Sequence, residues 1–205
     1  MKKTLFTAIA ALASFTGFAQ DAKPGAGKMF LAGSLGYSRS TPETPKGAPD
    51  PDAAGTLTFS PSFGYFLDDK MAFGARLSFR KESQKNFEGG NSFGFGVFGR
   101  YYHSLSETGN FQLFGEAALG YQTSTAQYVK GGTKPDPTTG FGFGVAPGLG
   151  WYPGKRLAIE FTLPSLLAFS TSKTSKDSDA SAKNFQIGAS TLAQPASLTV
   201  LFFLK

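Results

Sequence analysis

The sequence predicts an all-β fold: an eight-stranded antiparallel up-and-down transmembrane β-barrel with short periplasmic turns and four long extracellular loops. Three observations carry that prediction. The first is a rhythm in which a Gly and an aromatic pair run into a tight turn. Gly64, Tyr65 and Phe66 precede Asp68-Asp69-Lys70, and Gly99, Tyr101 and Tyr102 precede Ser104 to Gly109. Gly150, Trp151 and Tyr152 precede Pro153-Gly154-Lys155, and a fourth pair, Phe202-Phe203, stands near the end of the chain. Long polar connections separate these turns, which is the alternation a transmembrane barrel requires. The second observation is period-two alternation of apolar residues in every stretch between turns. The third is composition. With 26 Gly and 22 Phe, the mean hydropathy is only −0.13, as expected of strands with one face in lipid and the other in a polar lumen.

The elements follow in order. Strand one covers about Met29 to Tyr37, with Met29, Leu31, Leu35 and Tyr37 on one face. Strand two, Leu57 to Leu67, turns Leu57, Phe59, Phe63 and Tyr65 outward. Strand three, Met71 to Arg80, alternates Met71, Phe73, Ala75, Leu77 and Phe79 with Ala72, Gly74, Arg76, Ser78 and Arg80. Strand four, Phe93 to Tyr102, places Phe93, Phe95, Val97 and Tyr101 in lipid. Strand five spans Phe111 to Gln122, strand six Phe141 to Tyr152 and strand seven Arg156 to Phe169. Strand eight begins near Phe185 and ends at Leu204. Its first part (Phe185, Ile187) has the opposite phase to its last (Leu198, Val200, Phe202, Leu204), which predicts a bulge or break near Gln194-Pro195. Each strand has the roughly 9 to 11 residues that crossing a bilayer at a tilt requires. The long connections are Ser38 to Gly55, Lys81 to Gly90, Ser124 to Thr138 and Thr171 to Lys183, rich in Pro, Gly, Ser, Thr, Lys and Asp. Pro61, Pro147 and Pro164 fall inside strands, where a missing N–H calls for bulges or early strand ends.

Residues 1–19 read as a secretory signal and 20–205 as the barrel domain. Lys2 and Lys3 form a basic start, Leu5 to Phe18 an uncharged apolar run, and Gly17 and Ala19 the small residues of a cleavage site. The run is shorter than the roughly 20 residues of a spanning helix. Without Lys2 and Lys3 the chain has 18 basic and 14 acidic residues, a formal +4. The basic residues do not cluster on one element, so no nucleic-acid surface is expected. There is no Cys and a single His, which excludes disulfides, thiolate chemistry and a zinc site. No cofactor is implied. Asp50 and Asp52, or Asp177 and Asp179, are loop-tip acids that read as solvated charge.

In its signal, eight alternating strands, short inner turns, long outer loops and apolar aromatic last strand, the chain resembles the small OmpA/OmpX-type outer-membrane barrels. The signal ending in Phe18-Ala19-Gln20 is similar to those of Bacteroidota outer-membrane barrel proteins. The resemblance covers nearly all of the chain after the signal and contains no functional motif. It implies residence in the bacterial outer membrane, contact with outer-membrane lipid and lipopolysaccharide, insertion by the barrel-assembly machinery, and a monomer with loops free for an extracellular ligand. In that family the last residue is usually aromatic; here Lys205 follows Phe202, Phe203 and Leu204.

Four charged residues fall on the lumen phase: Arg76, Arg100, Glu116 and Glu160. Each lies roughly four to seven residues from a short turn, and a rise of about 3.3 Å per residue puts them at similar depth. An eight-stranded lumen is just wide enough for side chains, so two Arg and two Glu there should pair. Arg80 extends the set outward. The aromatic pairs Tyr65-Phe66, Tyr101-Tyr102, Trp151-Tyr152 and Phe202-Phe203 read as a periplasmic-side girdle. His103 with Ser104, Ser106 and Glu107 contains the residue types of a hydrolytic triad, but the residues crowd one short turn. Gly94, Gly96, Gly99, Gly140, Gly142, Gly144, Gly148 and Gly150 precede no helix that could present its N-terminus to a phosphate. They read instead as small lumen positions. The chain therefore reads as a non-enzymatic barrel with a plugged, charged lumen and a structural or loop-mediated role. A narrow pore gated by the Arg and Glu pairs is the alternative, and a lipid-modifying enzyme dependent on His103 is the weakest of the three.

Overall fold

The computed structural model describes residues 25–40, 53–154, 156–174, 181–187 and 197–204. The expected signal, Asp50, Asp52, Asp177, Asp179 and the break near Gln194-Pro195 lie outside the described residues. The chain forms eight staves. The first six are single long strands: β1 (Met29–Ser40), β2 (Ala54–Phe66), β3 (Met71–Gln84), β5 (Asn91–Ser104), β6 (Phe111–Thr125) and β8 (Thr138–Trp151). The seventh stave comprises β9 (Leu157–Thr162) and β10 (Leu167–Thr174), and the eighth β11 (Ser181–Ile187) and β12 (Ser197–Phe203). Two short strands, β4 (Phe87–Glu88) and β7 (Tyr128–Val129), pair with each other above the barrel. All pairings are antiparallel between neighbours, and the sheet closes at its inner end through β8, β9, β12 and β1. Among the described residues β11 pairs only with β10.

The apolar alternation lies where the sequence puts it. Leu31, Phe59, Phe63, Phe73, Phe95, Leu113, Phe141, Leu149 and Phe161 all face outward and are exposed. The opposite phase is also seen in the eighth stave, where Phe185 and Ile187 but also Leu198 and Phe202 are exposed. An even number of steps cannot connect these two outward sets.

The strands overrun their expected ends. β3 continues to Gln84, β6 to Thr125 and β10 to Thr174, so the second, third and fourth connections are shorter than Lys81 to Gly90, Ser124 to Thr138 and Thr171 to Lys183. Backbone pairing does not stop where the apolar stripe stops. The β2–β3 ladder runs up to Ala54↔Gln84 although the residues there carry no large apolar side chain. The β4–β7 pair then ties the second and third connections together, helped by the Lys130 N–H donating to Asn86 O at 2.9 Å.

The three prolines resolve differently. Pro61 causes neither a bulge nor a strand end. It stays opposite Gly33 of β1, while the β2–β3 ladder omits Ser60 and Pro61 and resumes in the same register (Phe59↔Phe79, Ser62↔Arg76). The missing N–H removes rungs without displacing the strand. Pro164 does break its stave. Between Leu167↔Val145 and Gly148↔Thr162 the seventh stave advances five residues while β8 advances three, so the segment around Pro164 bulges. Pro147 lies in that interval. It remains paired with Gly115 of β6, and its carbonyl accepts from the Leu163 N–H at 2.9 Å. The sequence expectation of one continuous strand from Arg156 to Phe169 is corrected accordingly.

The core occupies the inner half of the lumen. Phe30, Phe66, Phe98, Tyr102, Phe114, Tyr152, Leu201 and Phe203 are buried together. Phe66, Tyr102, Tyr152 and Phe203 form a closed circuit of rings, with centroids 5.3, 6.5, 6.2 and 6.0 Å apart in turn. Glycines make the room. Phe30 stands opposite Gly64, Phe98 opposite Gly74 and Phe114 opposite Gly148. A Cβ on any of these glycines would run into the facing ring, and one on Gly150 would lie 2.6 Å from the Tyr152 ring. The ring covers the bare backbone that the glycine leaves.

Gly148→Ala should therefore destabilise the barrel by about 1–3 kcal/mol through overpacking against Phe114. Gly115→Ala, where a Cβ meets nothing within 4 Å, should change stability by less than about 0.5 kcal/mol. Urea unfolding midpoints in lipid vesicles would measure both, and equal shifts would refute the ring-on-glycine account.

Candidate functional site

Directly above the aromatic floor lies a layer of charge. Arg100 on β5 and Glu116 on β6 are direct cross-strand partners. The Arg100 Nε donates to Glu116 Oε2 at 2.7 Å. The Arg76 guanidinium donates to the same carboxylate with both nitrogens, at 3.0 Å to Oε1 and 2.8 Å to Oε2. Arg100 also reaches across the lumen, where its Nη1 donates to Glu160 Oε2 on β9. Glu160 is fully buried and is held on its other oxygen by two hydroxyls. Tyr102 Oη donates to Oε1 at 3.0 Å and Tyr152 Oη at 2.7 Å. Arg100 Nη1 further donates to Tyr102 Oη at 3.2 Å. The sum is two positive and two negative charges, and no buried side-chain nitrogen or oxygen among the described residues is left without a partner.

Burial makes this completeness necessary, because a buried charge that loses its partner costs several kcal/mol. Aromatic faces add to it. The Arg100 guanidinium carbon lies 4.8 Å from the Phe98 ring centroid and 5.1 Å from that of Phe114, and Arg76 lies 4.9 Å from Phe98 on its own side. The two arginines differ in setting. The Arg100 side chain is 1% exposed, whereas that of Arg76 is 33% exposed. Arg76 faces a cavity of about 660 Å³ in the outer half of the lumen, lined largely by small residues such as Gly120, Gly142, Ala168, Ser170 and Ser172.

Of the charged residues singled out in the sequence, Arg76, Arg100, Glu116 and Glu160 come together in one network. Arg80 does not join it; its Nε donates to Glu82 Oε1 at 3.0 Å, near the outer rim. The expected girdle is corrected. Tyr65, Tyr101, Trp151 and Phe202 are exposed on the outer wall, but Phe66, Tyr102, Tyr152 and Phe203 are buried in the lumen. Consecutive residues of a strand point to opposite faces, so an aromatic pair cannot place both rings in one belt. Tyr102 and Tyr152 thus enter the site as the hydroxyl partners of Glu160. Their parity, shared with Arg100 and opposite to Trp151, was the signal that could have found them.

In the turn after β5 both serine hydroxyls are engaged with the backbone. The Ser104 hydroxyl donates to the Ser106 carbonyl at 2.8 Å, and the Ser106 Oγ accepts from the Phe111 N–H at 3.2 Å. Among the described residues no hydrogen bond joins the His103 ring to either serine or to Glu107.

Neither a family model nor a curated protein matches the chain. Several solved structures are similar to it. One is the N-terminal β-barrel domain of Pseudomonas aeruginosa OprF, at 11% identity and a TM-score of 0.45. Another is Neisserial surface protein A (NspA), at 13% identity and a TM-score of 0.49. Each alignment covers 86% of this chain and 97% of the other. The closed eight-stave architecture rests on the strand ladders themselves.

Glu116→Ala should lower stability by about 3–5 kcal/mol, because it strips Arg76 of both its carboxylate bonds and Arg100 of one. An unchanged urea midpoint in vesicles would remove the network from the account of stability.

Proposed function

We propose that this protein is an integral outer-membrane barrel that does not conduct, with a structural role in the envelope or a surface role carried by its outer connections. One observation carries the reading. The Arg76–Arg100–Glu116–Glu160 layer, neutral and fully hydrogen-bonded, lies directly on the ring circuit that fills the inner lumen. A permeating ion would have to displace both layers. Membrane residence is supported by the inverted wall, with large apolar side chains outward on every stave. Outer-membrane residence is supported by the even stave count, by the Met29 and Phe203 ends lying together at the short-turn end, and by the signal-like leader. No chemistry is assigned to His103.

The alternative is a narrow pore in which the Arg and Glu pairs exchange partners. It draws on the cavity above Arg76 and on that residue's partial exposure. Planar-bilayer recording of the refolded mature chain separates the two. The plug predicts a silent bilayer from protein that is demonstrably folded. Discrete steps in the wild type that change in Arg100→Ala would overturn it in favour of the gated pore.

A further inference from the structure

The outer wall carries a groove near its outer end, and the inference drawn from it rests on the membrane reading above. Two successive outward-facing rungs cross β2, β3, β5 and β6 near their outer ends. The lower rung is Phe59↔Phe79↔Phe93↔Thr123, and the upper is Leu57↔Lys81↔Asn91↔Thr125. They are two residues apart along each strand, about 7 Å. The lower three rings form a ladder, with Phe59 and Phe79 stacked at 6.4 Å and Phe79 and Phe93 at 5.3 Å. Where Asn91, Thr123 and Thr125 replace bulky residues, the wall is hollowed into a groove of about 470 Å³ lined by these same side chains.

The groove is therefore apolar below and cationic and hydrogen-bonding above. Among the described residues no carboxylate pairs with Lys81, whereas its neighbour Arg80 is occupied by Glu82. The charge on the lipid-facing phase is also one-sided. Arg39, Lys81, Lys173 and Lys183 lie on it, and among the described residues of the barrel strands no Asp or Glu does. A lone ammonium over an aromatic ladder, at the end where the long connections lie, fits an anionic amphiphile better than a neutral one.

We propose that this groove binds the phosphorylated, multiply acylated glycolipid of the outer leaflet, lipid A. An acyl chain would lie along Phe59, Phe79 and Phe93, and a phosphate would be held by the Lys81 ammonium with the Asn91 amide and the Thr125 hydroxyl. No covalent step is involved.

Native mass spectrometry of the refolded mature chain in detergent micelles, with bisphosphorylated lipid A as probe, tests this. A one-to-one adduct is expected, weakened about fivefold by Lys81→Ala and restored by Lys81→Arg. Dephosphorylated lipid A should bind wild type and Lys81→Ala alike and weakly. Lys70→Ala, in an inner turn, should bind as wild type does. Equal affinity in wild type and Lys81→Ala, no preference for the phosphorylated lipid, or an equal loss in Lys70→Ala would overturn the site. A folded barrel that takes up no lipid A would overturn it while leaving the membrane reading intact. A chain that fails to insert into vesicles would instead overturn the membrane reading on which it rests.

Discussion

The inner half of this eight-stave lumen has room for side chains and nothing else, and the remaining features of the molecule follow from how that room is filled. Every second residue points inward whatever its chemistry, so the lumen must absorb charge, rings and bare backbone in a fixed sequence of layers. At the inner end the rings are accommodated because glycines face them across the ladder. Just above, the arginines are accommodated because carboxylates on neighbouring and opposite staves reach them. Glu116 is the joint between these demands. It bonds two guanidiniums at once, and the same two guanidiniums lie over Phe98. Charge layer and ring layer therefore stabilise one another through shared residues.

Much of this was legible in the sequence, for reasons of periodicity. A period of two is the easiest structural signal to read, and it places Leu31, Phe63, Phe95 and Phe141 on the wall and Arg76, Arg100, Glu116 and Glu160 in the lumen with no tertiary information. Where a second rule competes with period two, parity prevails. Aromatics near a turn suggest an interfacial belt, yet the parity of Phe66, Tyr102, Tyr152 and Phe203 turns them into the lumen. Strand ends are harder to read for a different reason. The apolar pattern marks the exposed apolar band of the wall, whereas the ladder at Ala54↔Gln84 is held by backbone hydrogen bonds that no side-chain pattern reports. Pro61 and Pro164 are alike in sequence, yet one only omits rungs and the other bulges its stave. What distinguishes them is the partner strand, which local sequence does not contain.

The two arginines show why the inner lumen and the outer cavity should be treated as separate devices. For Arg100 to move, it would have to leave Glu116, Glu160 and Tyr102 and withdraw from two aromatic faces, stranding a fully buried Glu160 on two hydroxyls. Breaking one buried pair costs about 3–5 kcal/mol, so this rearrangement would consume a large part of the stability of a small domain. Arg76 is held by one carboxylate and one ring and already borders the cavity. Any partner exchange in the lumen therefore begins at Arg76. Its departure would widen the outer cavity, yet Glu116 would still have Arg100, and the ring circuit beneath would be untouched. The motion that is energetically accessible thus changes the shape of the outer cavity and leaves the Arg100 bonds and the ring circuit in place.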